Sequence, residues 1–196
     1  MIRIAPSGLI AIALLAVMAA TRSHHFTSLL GPGDATLAAF FLGGLFLRRA
    51  GWLALFLATA GLVDFLAVQA GTSAWCITPG YALLAPAYGA LWLAGRRSTG
   101  ALQSTAGLLR SAGLLASGVV VFFVISNVGF YAFSEAVADL SAIDFALRVA
   151  TYLPGYLAQA FLYSSAGLAL GAWTDPRRPH PGRRLTAPGK VAWASA

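Results

Sequence analysis

Cysteine occurs once in this 196-residue chain, lysine once and methionine twice, and six residues are acidic. A single thiol excludes a disulfide within the chain. The one lysine, Lys190, is followed by valine, so there is no GxxxxGK[ST] loop and no P-loop hydrolysis of ATP. HExxH, GxSxG and CxxC are absent too, which argues against an ordinary hydrolase or a dithiol oxidoreductase. No internal repeat is visible. Charged residues make up 10% of the chain, against about 25% in an average soluble domain.

What fills the chain is apolar. It is 59% hydrophobic with a mean hydropathy of +0.77. Six apolar runs can be marked, at about 4–20, 35–47, 50–70, 80–95, 106–133 and 149–172. A hydrocarbon core takes about 20 helical residues, and no lipid-facing loop can sit at that depth, so helices are the default. The expected fold is therefore an all-α integral membrane protein, a bundle of six transmembrane helices. Residues 1–173 form the membrane domain and 174–196 a basic Pro/Arg-rich tail. The second run is short for a span; either it starts earlier, around 26–30, or the bilayer is thinned there. The first run, with Arg3 before it and Val17-Met18-Ala19-Ala20 at its end, has features of a signal peptide; we take it as the first transmembrane helix.

The net charge of +7 reads as topology rather than as affinity for nucleic acid. With six spans and a cytoplasmic N-terminus, Arg3, Arg48, Arg49, Arg96, Arg97, Arg110, Arg177, Arg178, Arg183, Arg184 and Lys190 fall inside, while Arg22 and Arg148 fall outside. This is the positive-inside pattern, with both termini cytoplasmic. Asp34, Glu135, Asp139 and Asp144 fall outside. Trp52, Trp92 and Trp173 sit at inner helix ends and Trp75 at an outer one, as interfacial tryptophans do. The outer loops, 21–34, 71–79 and 134–148, then carry nearly all the polar chemistry.

Within that frame a few residues stand out. Cys76, in Trp75-Cys76-Ile77-Thr78-Pro79-Gly80-Tyr81, is a packing residue, a redox thiol or a soft metal ligand. Asp64 lies inside the third run, where a carboxylate is costly. It marks a functional site or a structural hydrogen bond from a tyrosine or asparagine on a neighbouring helix. Asn127, Tyr131, Tyr152 and Tyr156 lie near the outer halves of the last two runs, suited to lining a pocket or to anchoring at the interface. His24 and His25, being adjacent, do not face one way on a helix and make a weak chelating pair. Ser7/Ala11 and Ala16/Ala20 have the small-xxx-small spacing that admits a close helix neighbour.

Several stretches together resemble a known family. Arg22-Ser23-His24-His25-Phe26, then Ala39-Phe40-Phe41-Leu42-Gly43-Gly44, are similar to the opening of the BtuM-like family, the cobalamin-specific solitary S-components of ECF-type vitamin transporters. Cys76-Ile77-Thr78-Pro79-Gly80-Tyr81 resembles that family's cysteine loop, and Ser126-Asn127, Phe130-Tyr131, Ala138-Asp139-Leu140-Ser141 and Arg148-Val149 extend the similarity through all six runs but not the tail. The resemblance implies a multi-pass protein of the bacterial cytoplasmic membrane that captures vitamin B12 from outside. It implies Cys76 as the axial ligand of the cobalt and carries no ligand role over to His24 or His25; Asp64, Tyr81, Asn127, Tyr131 and Arg148 are the further residues expected to contact the bound cobalamin. Ala16 and Ala20 match the family's contact for an ECF coupling protein, which works with paired ATPases. Pro79 limits the backbone freedom of the loop, Gly80 leaves room for a planar ligand, and Trp75 and Tyr81 add flat apolar surface. Two other activities suit the same residues: a membrane enzyme whose Cys76 thiolate strips the upper axial ligand of cobalamin (decyanation), and a haem-binding membrane subunit using His24/His25.

Overall fold

A computed structural model describes residues 6–22, 33–72, 77–98 and 100–174. Cys76, Trp75, His24, His25, Arg3 and the basic tail beyond 174 lie outside the described residues. Among those described every regular element is a helix, and there is no strand. The helices are α1 (Pro6–Arg22), α2 (Thr36–Phe46), α3 (Ala50–Gln69), α4 (Leu84–Arg97), α5 (Thr105–Phe133), α6 (Ala142–Ala150) and α7 (Leu153–Thr174), with single 3-10 turns at Pro79–Leu83 and Glu135–Val137. Two of them, α3 and α5, are long and apolar enough to cross a membrane. At 1.5 Å per residue they extend about 30 and 43 Å.

Helix α2 is only 11 residues long, about 16 Å. It starts at Thr36, so the earlier start near residue 26 does not join it. Its shortness has a different explanation: residues 36–44 are all buried. An element enclosed by protein over most of its length does not have to match a bilayer. Its chief partner is α4, and two glycines set how close the pair can come. A Cβ on Gly44 would lie 2.0 Å from the Trp92 carbonyl oxygen, and one on Gly95 would lie 1.9 Å from that of Phe41. The backbones therefore touch directly, which only glycine permits.

Around α2 an aromatic column runs through the core. Phe40 stacks on Tyr88 with centroids 4.3 Å apart, Phe56 meets Phe40 edge-on at 5.7 Å, and Phe56 meets Trp92 the same way at 5.6 Å. Trp92 is 1% exposed, so it is a core residue and not the interfacial anchor its position in the sequence suggested. Leu62, Phe65, Leu66, Leu109, Val124 and Val128 lie exposed on α3 and α5. An outer surface so apolar, over a core of aromatic and small residues, suits a hydrocarbon solvent.

The segment after α5, expected to be loop, contains α6. Ser141 caps it: its Oγ accepts from the Asp144 amide at 3.1 Å and donates to the Asp144 carboxylate at 2.6 Å, a side-chain N-cap with an acid in the first turn. Phe145 of α6 turns inward while Ile143 and Leu147 stay exposed.

The described charges sort by end. Arg48, Arg49, Arg96, Arg97 and Arg110 gather at one end, where Arg48 Nη1 donates to the Arg96 carbonyl at 3.2 Å. Asp34, Asp64, Glu135, Asp139 and Asp144, with Arg22 and Arg148, lie towards the other.

Candidate functional site: a cavity floored by a buried ion-pair cluster

At the acidic end the helices splay around a cavity of about 380 Å³. Its walls are mostly apolar, among them Leu37, Val68, Leu84, Phe122, Phe130 and Phe145. Set into them are Ser126 and Asn127 of α5, Tyr152, Tyr156 and Gln159 near or on α7, and Thr78, Gly80 and Tyr81 from the segment after Cys76. Apolar walls with a few placed polar groups are the usual make-up of a small-molecule site, and the volume lies in the usual range of roughly 300–1,000 Å³.

The cavity is floored by charge. Arg22, the last residue of α1, is 7% exposed. It grips Asp64 of α3 as a fork, Nε to Oδ1 and Nη2 to Oδ2, both at 2.6 Å. Its remaining nitrogen, Nη1, donates to the Tyr88 hydroxyl at 2.9 Å and to Thr36 Oγ1 at 3.3 Å, and the guanidinium carbon lies 5.8 Å from the Tyr88 ring centre. Two parallel charge-assisted bonds make this the strongest common ion-pair geometry. Tyr81 donates from its hydroxyl to Asp64 Oδ2 at 2.5 Å. Asp34 lies 3.7 Å from Nη1. Its Oδ1 accepts from the Thr36 amide at 2.8 Å and from the Thr36 hydroxyl at 2.5 Å, ordering the entry to α2.

Burial demands this arrangement. A lone charge out of water costs several kcal/mol, and only a partner with good geometry and further hydrogen bonds offsets it. The cluster joins α1, α2, α3, α4 and the 3-10 turn after Cys76. Tyr81 thus ties the cysteine segment to the same node that holds the end of α1.

The expected site residues fall into four groups. Asp64, Tyr81 and Asn127 line the cavity. Asn127 Nδ2 donates to the Phe123 carbonyl at 2.8 Å, one turn back. Tyr131 and Arg148 are not among the lining residues. Tyr131 donates to the Leu140 carbonyl at 3.0 Å and packs on Phe145, with ring centroids 4.9 Å apart, so it fastens the segment leading into α6. Arg148 is exposed in the last turn of α6. Cys76 lies outside the described residues, but its neighbours Ile77 and Thr78 are part of the wall. Ala16 and Ala20 are both exposed on α1, beside exposed Leu9, Ile12 and Val17.

Gly80 has a different use from the one expected. A Cβ there would lie 2.3 Å from the Gly129 carbonyl oxygen on α5. Its missing side chain lets the 3-10 turn seat against α5 as well as border the cavity.

Arg22, Asp34, Thr36, Tyr88 and Gln159 were not anticipated. For Arg22 a signal existed: it is a basic residue on the side otherwise dominated by acids, and such an exception is an invitation to look for a buried partner. Nothing local marks Tyr88 or Gln159.

Among the described residues no three His, Cys, Asp or Glu side chains gather into a metal site. No protein-family profile matches the chain, and no curated protein matches it.

Proposed function

We propose that this chain is a membrane-embedded substrate-binding protein that captures cobalamin, with Cys76 as the axial ligand of the cobalt. The observation that carries this reading is the cavity at the acidic end, because the residues directly after Cys76 form part of its wall. A corrin brings four equatorial donors of its own, so the protein has to supply one axial donor rather than a metal cage. The flat walls from Phe122, Phe130, Phe145 and Tyr152 suit a macrocycle, and Asn127, Ser126 and Gln159 suit its peripheral amides. A cavity of about 380 Å³ is smaller than a whole corrinoid; it takes one face or edge of the ligand, and the rest projects from the mouth.

In this reading the chain forms six spans with both termini in the cytoplasm of a bacterium. The arginine-rich end faces inward by the positive-inside rule and the cavity faces outward. Helix α6 is not a span; it belongs to the outer segment between α5 and α7. Exposed Ala16 and Ala20 are the contact on α1 for an ECF coupling protein with its ATPases.

The test is Cys76→Ser, which replaces a soft donor by a poor one at nearly constant size. Purified parent incubated with cyanocobalamin should retain a corrinoid whose spectrum reports a sulfur–cobalt bond. The serine variant should bind less tightly and lack that feature. Parent protein that stays colourless sinks the cobalamin reading, and a Soret band after exposure to haem instead favours a haem-binding subunit. Equal spectra for parent and variant reduce Cys76 to a packing residue. The second reading, a thiolate-dependent decyanating enzyme, is distinguished by turnover: free cyanide released in excess over protein would make Cys76 catalytic and not merely a ligand.

A further inference from the structure

Among the described residues, the charges around the cavity do not balance. Arg22 is matched by both oxygens of Asp64, and its Nη1 is engaged by Tyr88 and Thr36. Asp34 is left over. Its Oδ1 is taken by Thr36, and its Oδ2 stands 3.7 Å from Arg22 Nη1, beyond hydrogen-bond length. The Asp34 side chain is 14% exposed and borders the cavity. No further hydrogen bond reaches that oxygen from the described residues. Among them, the charged lining is one cation against two carboxylates. Farther out, Glu135, Asp139 and Asp144 outnumber Arg148 on the segments from α5 to α6.

We infer that the cavity selects its ligand by charge: the surplus carboxylate of Asp34 favours neutral-amide or cationic groups on the ligand and rejects carboxylates on the same scaffold. The apolar walls make this effective, because field lines that water would screen persist across a low-dielectric cavity. Gln159 reinforces it. Its Oε1 accepts from the Asp34 amide at 3.3 Å, and both residues line the cavity, so its NH2 is a second donor for the ligand. A primary amide on the ligand can donate to Asp34 Oδ2 and accept from Gln159; a carboxylate can accept from Gln159 but has no N–H to offer Asp34 and is repelled by it. A unit charge about 10 Å from Asp34, at an effective dielectric near 20, alters affinity roughly tenfold.

This inference rests on the cobalamin reading, and three corrinoids on one macrocycle separate the two. They are cobalamin, cobalamin with one peripheral propionamide hydrolysed to carboxylate, and the same position amidated with ethylenediamine to carry an ammonium group. Dissociation constants are measured on the full-length purified protein. The parent should bind the carboxylate form about tenfold more weakly than cobalamin and the ammonium form at least as tightly as cobalamin. Asp34→Asn keeps the Oδ1 acceptor for Thr36 and removes the charge, so the spread between the two charged forms should collapse towards unity. The parent's own ratio needs no variant and tests the idea even if Asp34→Asn fails to fold. Equal binding of all three by the parent, or an unchanged spread in Asp34→Asn, overturns charge selection and leaves the cobalamin reading standing. Failure of all three to bind the parent overturns both.

Discussion

Removing the charge from Asp64 should be among the most damaging isosteric changes in this protein. Asp64→Asn keeps the volume but leaves the Arg22 guanidinium, 7% exposed, with Asp34 at 3.7 Å as its nearest carboxylate. Two 2.6 Å charge-assisted bonds weaken together. Charge centres about 4 Å apart at an effective dielectric near 20 attract by about 4 kcal/mol, and losing one partner of a buried pair typically costs about 3–5 kcal/mol. We therefore expect a loss of that size in reversible unfolding from mixed micelles, followed by helical circular dichroism. Tyr81→Phe deletes one hydrogen bond to the same carboxylate and strands no charge, so it should cost less, about 1.5–3 kcal/mol. Arg22→Met combined with Asp64→Leu removes both charges. The double variant should be more stable than the sum of its single changes predicts, by about 2 kcal/mol or more. Additive losses in that cycle, or a cost below about 1 kcal/mol for Asp64→Asn, would refute the view that the pair holds the cavity floor together.

Gly95→Ala places a methyl group against the Phe41 backbone and should destabilise by about 1–3 kcal/mol, whereas Gly89→Ala on the same helix meets nothing within 4 Å and should be neutral or stabilising by up to about 1 kcal/mol; the same unfolding assay compares them. A protease-accessible tag after Ala196 should resist external protease in spheroplasts and be cut in inverted vesicles, and external cleavage would reverse the proposed orientation. Ala16→Trp should leave cobalamin binding by purified protein unchanged and abolish uptake by cells, since its site on α1 is exposed; wild-type uptake would remove the docking role of that face.

Composition pointed to an all-helical chain: a sequence 59% hydrophobic and 10% charged, with apolar runs too long for barrel strands, favours helices that satisfy their own backbone polar groups, and the described residues form helices and no strand. The periodic apolar runs located most helices to within a few residues. They also failed in informative places. Helix α2 looked too short for a span because hydropathy measures a segment's own polarity and says nothing about which neighbours enclose it. Trp92 looked like an interface anchor because its place near a helix end was legible, while its rotation into the aromatic column was not. Asp64 stood out in the sequence as an unpaired cost, and Asn127 and Tyr81 as polar groups near one end. Their convergence on a single cavity was decided by packing. The partner that makes Asp64 tolerable, Arg22, lies 42 positions away, and Tyr88 and Asp34 reach the same guanidinium from two further elements. Pairings at such separations depend on how α1 to α4 pack against one another, with the α2–α4 approach set by backbone contacts at Gly44 and Gly95. Sequence supplies the charges and the run in which each lies; only the tertiary structure decides which of them meet, and sets Asp64 and Asp34 beside one arginine at the edge of one cavity.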